Sequence, residues 1–182
     1  MQVTRSDAKG RPTSQPPLIV SAWQFLVAMV IFDSWQYFMH RWMHTNKFLY
    51  KFHSVHHGLI APYPMSSIYS NGIDQFLTDI VGGLLSRLIT GMTARTSIYF
   101  FSLSIIRGVD LHSGLFLPWS PFQLLFGSNS AFHATHHQLG GFQANFSQLY
   151  FLFWDKFLGT YAPYSVEKRK EGGYKVRAIK DL

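Results

Sequence analysis

The sequence predicts an all-α fold: an integral membrane helical protein whose histidine-rich, di-metal helical cap faces the cytosol. Three observations carry this reading. The 182 residues are 47% hydrophobic and 17% aromatic but only 14% charged, a balance that places much of the chain against lipid. Eight of the nine histidines fall in three short clusters, "HRWMH" (40–44), "HSVHH" (53–57) and "HATHH" (133–137). Basic residues gather in "EKRKEGGYKVRAIK" (167–180), after the last cluster, and such a segment faces the cytosolic leaflet by the positive-inside bias.

The length suits one domain with a sizeable core. With no cysteine, a disulfide framework, a thiolate zinc site, a cysteine-ligated iron–sulfur cluster and a thiolate haem are excluded. The formal charge of +7 does not imply nucleic acid as a partner, because the basic residues form no groove-reading motif. A membrane partner fits better.

Residues 1–17 are polar, proline-bearing and without apolar periodicity, the pattern of a disordered leader. The apolar run 18–32 continues past Asp33 into "DSWQYFMHRWMH" with no small-residue cleavage site, so it reads as an uncleaved membrane helix and not as a signal peptide. Two shorter apolar stretches, 76–90 and 97–106, flank "GMTART". They predict a helical hairpin that crosses a thin region of the bilayer or dips into it, each arm being short of a roughly 20-residue span. A hairpin returns the chain to its starting side, so His40–His57 and His112–His137 share one face of the membrane. The leader bearing Arg5, Lys9 and Arg11 then lies in the lumen, unless the first apolar segment is re-entrant. Pro118 and Pro121 break the apolar stretch 114–126 into an interfacial segment. The aromatic stretch 146–161 suits the headgroup level. "NGID" (71–74) reads as a turn, and the sequon "NFS" (145–147) would stay unmodified on a cytosolic face. The organisation is thus a leader over 1–17, a membrane domain over 18–165 and a basic cytosolic tail over 166–182.

On a helix, residues at i, i+3 and i+4 share a face, so each cluster aims its imidazoles at a common centre. A continuous helix would put His53 about 220° around from His40; the chain must bend between them, and "TNK" (45–47) offers the break. A lone histidine is usually a satisfied core residue, but this many without a metal would need many partners or repel one another when protonated. The candidate ligands are His40, His44, His53, His56, His57, His112, His133, His136 and His137. Imidazole suits zinc, copper, iron and nickel. H-E-x-x-H is absent, and nine histidines exceed one ion's coordination but fit two. Soluble di-iron bundles use inward-facing glutamates, yet the only glutamates here are Glu167 and Glu171 in the tail. The expected site is therefore two irons held by nitrogen, with zinc as an occupant in purified protein. Carboxylates or amides that orient the imidazoles would help compensate the metal charge. Asp33 and Gln36, on the face of His40, together with Asp110 and Asp155, are the candidates.

The order H-x3-H, H-x2-H-H, a single later histidine in "VDLHSGL", and a second H-x2-H-H in "NSAFHATHHQ" resembles the fatty acid hydroxylase superfamily of membrane di-iron oxygenases. "DSWQYFMHRWMHTNKFLY", "TGMTARTSI", "NFSQ" and "WDKFLGTYAPYSVEKR" extend the likeness, from about Asp33 to Lys175, to the sphingoid-base C4-hydroxylases. The resemblance implies an endoplasmic reticulum membrane enzyme of sphingolipid biosynthesis. It would use O2 and electrons from NAD(P)H, delivered in trans by cytochrome b5 and its reductase. The lipid substrate would be sphinganine or dihydroceramide, hydroxylated at C4 to a phytosphingosine-type product. Alternatives with similar boxes are sterol methyl oxidation and lipid desaturation; a catalytically silent metal-binding membrane subunit is a further one. The chain departs from the family pattern at Gly58, at Leu111 and at Asn71. Asn71 stands where a histidine near the metals is usual and would offer an oxygen ligand instead.

Overall fold

The computed structural model describes residues 15–117, 119–138, 143–171 and 173–179. Most of the predicted leader, residues 1–14, and parts of the basic tail lie outside the described residues. The long first helix, α1 (Leu18–Thr45), runs through the apolar segment and the first histidine pair. Its buried residues, among them Met29, Phe32, Asp33, Gln36, Tyr37, His40 and Met43, recur at helical spacing and form one stripe. The rest of its apolar stretch is exposed, and it is the one described helix long and apolar enough to cross a membrane. A soluble protein buries such a helix; here lipid is the solvent that fits.

Asn46 makes the predicted bend. Its side chain accepts from the backbone N–H of Phe48 (2.9 Å) and Leu49 (3.1 Å), capping α2 (Lys47–His57). After a 3₁₀ turn at Pro64–Ile68, Asn71 caps α3 (Gly72–Gln75). A π-helical turn, Phe76–Ile80, joins it to α4 (Val81–Thr90). Left-handed Gly91 (φ 64°) ends α4, and Thr93 caps α5 (Ala94–Leu111). The two arms are longer than their apolar cores suggested, because polar and small residues extend each helix toward the histidines. The tip is fastened to the start of α1: Gln24 Nε2 donates to Thr90 O (3.0 Å) and Gly91 O (3.2 Å). The hairpin thus returns the chain to the end of α1 where the histidines stand.

Gly82 and Gly83 let α4 fit between α1 and α5. A Cβ on Gly82 would lie 2.5 Å from Trp35, and one on Gly83 2.8 Å from Phe101. Behind them, Met29, Phe32, Phe100, Leu111, Leu149 and Tyr150 form the principal core. Outward-facing Leu18, Leu88 and Ile98, 85%, 72% and 65% exposed, make an apolar belt on all three long elements.

The remaining chain closes the histidine end through α6 (Pro121–Leu125), α7 (Ser130–His137) and α8 (Phe153–Phe157). Within 146–161 only α8 is helical. Buried Arg107 staples α5 to this region, donating through Nη2 to Ser128 O and Leu149 O, both 2.8 Å. Asn145, the sequon residue, is buried and pairs with the backbone of Ala162.

One part of the fold class needs correction: the protein is mostly helical, not all-α. Strands β1 (Tyr164–Lys168) and β2 (Tyr174–Ala178) form an antiparallel hairpin with Val166 opposite Val176. The supposed tail boundary at 165/166 falls inside β1. Tyr164, Val166, Tyr174, Val176 and Ala178 alternate with polar residues about a glycine-bearing turn, a strand pattern that the density of charge obscured.

Candidate metal centre

Four elements bring the nine histidines together. α1 contributes His40 and His44, one turn apart. α2 contributes His53, His56 and His57, His112 caps the C-terminus of α5, and α7 supplies His133, His136 and His137. Asn129 Oδ1 starts α7 by accepting from Phe132 N (2.9 Å), and α7 is buried over most of its length.

The imidazoles divide into two adjoining sets: His40, His44, His53, His57 and His136 in one, and His56, His112, His133 and His137 in the other. Within each set the candidate ligand nitrogens lie within 4.8 Å of one another. Rings of the two sets touch, His57 and His137 having centroids 4.7 Å apart.

Among the described residues, six rings meet an acceptor at Nδ1. Nδ1 of His40 faces Phe146 O (2.8 Å), His56 faces Tyr69 O (3.2 Å), and His112 faces Gly108 O (2.7 Å). His136 faces Ala144 O (2.7 Å), His137 faces Leu59 O (3.1 Å), and His53 faces the Asp74 carboxylate (2.9 Å). Carbonyls and carboxylates only accept, so Nδ1 of His53, His56, His112, His136 and His137 carries the proton and the Nε2 lone pair points inward; His40 Nδ1 also meets Gln148 Nε2 at 2.6 Å.

That assignment tests whether metal fits. Nε2 of His56 lies 3.3 Å from Nε2 of His112, although neither atom has a proton to share. The other inward contacts, His112–His133 at 2.9 Å and His40–His44, His53–His57, His57–His136 and His133–His137 at 3.1 Å, have the same spacing. Nitrogens about 2.0–2.1 Å from a shared ion stand about 3.0–3.4 Å apart. The donor set fits metal ions, and without one the facing lone pairs of His56 and His112 would repel.

Burial keeps the ligands neutral. It pushes His112 down to about 4. His56, His57, His133 and His137 are held well below the usual imidazole range, first by burial and then by neighbouring histidines. Neutral imidazole is the form that binds metal.

The other predicted residues stand elsewhere. Asp33 accepts from Tyr150 N (2.9 Å) and Phe151 N (3.3 Å), anchoring the chain that follows Gln148. Asp155 accepts from Phe146 N (3.0 Å) and Ser147 N (2.7 Å), so it steadies the peptide whose carbonyl orients His40. Asp110 pairs with Arg107. Asn71 Oδ1 accepts from Ile73 N (2.9 Å) as a helix cap. Gln36 lines a small chamber with His40, His53, His56 and His112. Asp74 was missed. It lies in the "NGID" stretch read as a turn, and its place just after a position expected near the metals was the available signal.

A cavity of about 460 Å³ runs between α1, α4 and α5, walled by Phe32, Ile80, Leu84, Phe101 and Ile105. It shares Gln36, Ser67, Asp79, His112 and Gln148 with the chamber of about 70 Å³ beside the histidines.

An apolar helical belt with two buried histidine sets that could hold metal ions at one end defines a membrane protein with a candidate metal centre. The chain belongs to the fatty acid hydroxylase family, whose model matches residues 25–160. It is 51% identical to sphinganine C4-monooxygenase 2 of Arabidopsis thaliana, over 98% of this chain and 70% of that protein. It is 52% identical to very-long-chain aldehyde decarbonylase GL1-9 of Oryza sativa subsp. indica, over 92% of this chain and 65% of that protein. It is 42% identical to sphingolipid C4-hydroxylase sur2 of Schizosaccharomyces pombe, over 90% of this chain and 56% of that protein. The chain thus spans 56–70% of the length of these relatives. No solved structure matches.

Proposed function

We propose that the protein is a membrane monooxygenase that hydroxylates C4 of a sphingoid base at a di-iron site held by the nine histidines. The observation that carries this reading is the apolar cavity opening onto the histidine chamber. It accepts an alkyl chain from the lipid side and presents one of its carbons to the metals. The names of the Arabidopsis and fission yeast relatives supply the reaction. Bound iron supplies activation of O2: one oxygen atom enters the C4–H bond and the other leaves as water, with two electrons and two protons taken up. The electrons come from NAD(P)H through cytochrome b5 and its reductase. The protein's own part is positional. Phe32, Leu84, Phe101 and Ile105 hold the chain and exclude water, and the carbonyls behind His56, His112, His136 and His137 keep those Nε2 atoms aimed inward. The enzyme sits in the endoplasmic reticulum membrane with its histidine end toward the cytosol.

The rice relative supports a second reading, decarbonylation of a very-long-chain aldehyde, at the same level of identity. Product analysis separates the two. Expressed in yeast lacking its own C4-hydroxylation, the protein is expected to restore phytosphingosine, measured by mass spectrometry, and His136→Ala to abolish it. A well-expressed, membrane-located protein that yields none overturns the hydroxylase reading. Shortened hydrocarbons from supplied aldehydes would establish the second.

A further inference from the structure

The chamber beside the histidines has a wall made of acceptors. Asp79 lies in the π-helical turn Phe76–Ile80, a rare local geometry that is frequent at functional sites. Its Oδ1 accepts from Gln36 Nε2 at 2.9 Å. No basic side chain pairs with it among the described residues, and Arg87, also on the cavity wall, lies two helical turns further along. Gln36 is 95% buried by its 5% exposure, and its Oε1 has no partner. Both side chains line the apolar cavity and the polar chamber alike. A carboxylate without a cation and a buried amide oxygen without a donor demand a ligand rich in donors.

Resting on the hydroxylase reading, we propose that Asp79 and Gln36 bind the protonated amine of a free long-chain base, making the amino-alcohol cation, not its N-acylated form, the substrate. The placement agrees with the chemistry. The amine stands two carbons from C4, so its anchor must lie against the metal ligands, and Asp79 shares the chamber with His40, His53, His56 and His112. The alkyl chain then runs away from the histidines along the apolar cavity. An amide nitrogen carries no charge and offers Asp79 a single N–H, so acylation weakens this contact.

The test is equilibrium binding of sphinganine and N-acetylsphinganine to the purified, metal-loaded full chain in detergent. Sphinganine is expected to bind about ten- to a hundredfold more tightly, the range for a hydrogen bond to a charged group. Asp79→Asn should erase that difference by weakening sphinganine alone, Asp79→Glu should keep part of it, and Gln36→Leu should reduce it. Metal content, counted in each variant, should stay at the wild-type value. Equal binding of the two lipids by the wild type, or a preference that survives Asp79→Asn, overturns the proposal. The wild-type comparison decides even if a variant fails to fold. A binding preference without hydroxylated product would sink the hydroxylase reading and leave the anchor standing. Product without preference does the reverse.

Discussion

His53 and His56 sit one turn apart on α2, yet different chemistry orients them: a carboxylate behind His53 and a peptide carbonyl behind His56. The carboxylate can be removed by mutation. Asp74→Ala leaves His53 Nδ1 without its acceptor and frees the ring to turn, so metal affinity should fall about ten- to a hundredfold, with Asp74→Asn less affected. Chelator competition on the purified protein measures this, and an unchanged affinity would reduce Asp74 to a helix-start residue. That the nine histidines would gather in one place was legible, because helical spacing aims each cluster at a common centre. Their supports were not. Five of the six acceptors behind the rings are main-chain carbonyls, and every residue type carries one. Asp33 and Asp155, candidates for offsetting the metal charge, hold backbone amides of the segment that orients His40.

At the scale of elements, close approach between helices sets the cavity wall. Gly82 packs against Trp35, whose indole Nε1 donates to Leu77 O at 2.8 Å. That bond pins the ring, so an added methyl cannot be relieved by rotation without losing it. Gly82→Ala should therefore destabilise the protein by about 1–3 kcal/mol, read as a lower thermal midpoint in detergent. An exposed control such as Ala94→Gly, at the first position of α5, should change far less; equal effects would mean that α4 does not pack tightly on α1. The bend at Asn46 and the hairpin were predictable from a capping residue and a Gly91-terminated apolar run. The β1–β2 hairpin was also written in the sequence, as period-two alternation, but lysines and arginines at the intervening positions made it read as a solvated tail. It packs on α7 through Gln138 Nε2 to Val176 O (3.0 Å) and Asn129 Nδ2 to the Tyr164 hydroxyl (2.8 Å), so the tail covers the helix that carries three of the ligands.

For the whole molecule, the depth of the hairpin fixes what crosses the bilayer. Each arm, from Gly72 to Thr90 and from Ala94 to Leu111, is about 27–28 Å long at the helical rise, close to the roughly 30 Å hydrocarbon core. Gln24 ties the tip to the second turn of α1, so hairpin and α1 reach the same depth. Either all three helical segments cross or none does, which joins the side of the leader to the side of the hairpin tip. The native chain has no cysteine, so single introduced thiols report cleanly. Lys51→Cys, at an exposed position of α2, should react with a membrane-impermeant maleimide applied from the cytosolic side of sealed microsomes. Ala94→Cys, at the exposed hairpin tip, should react only after the membrane is opened. Labelling of both from one side would make the three helices a re-entrant wedge in a single leaflet, with the cavity opening into that leaflet alone.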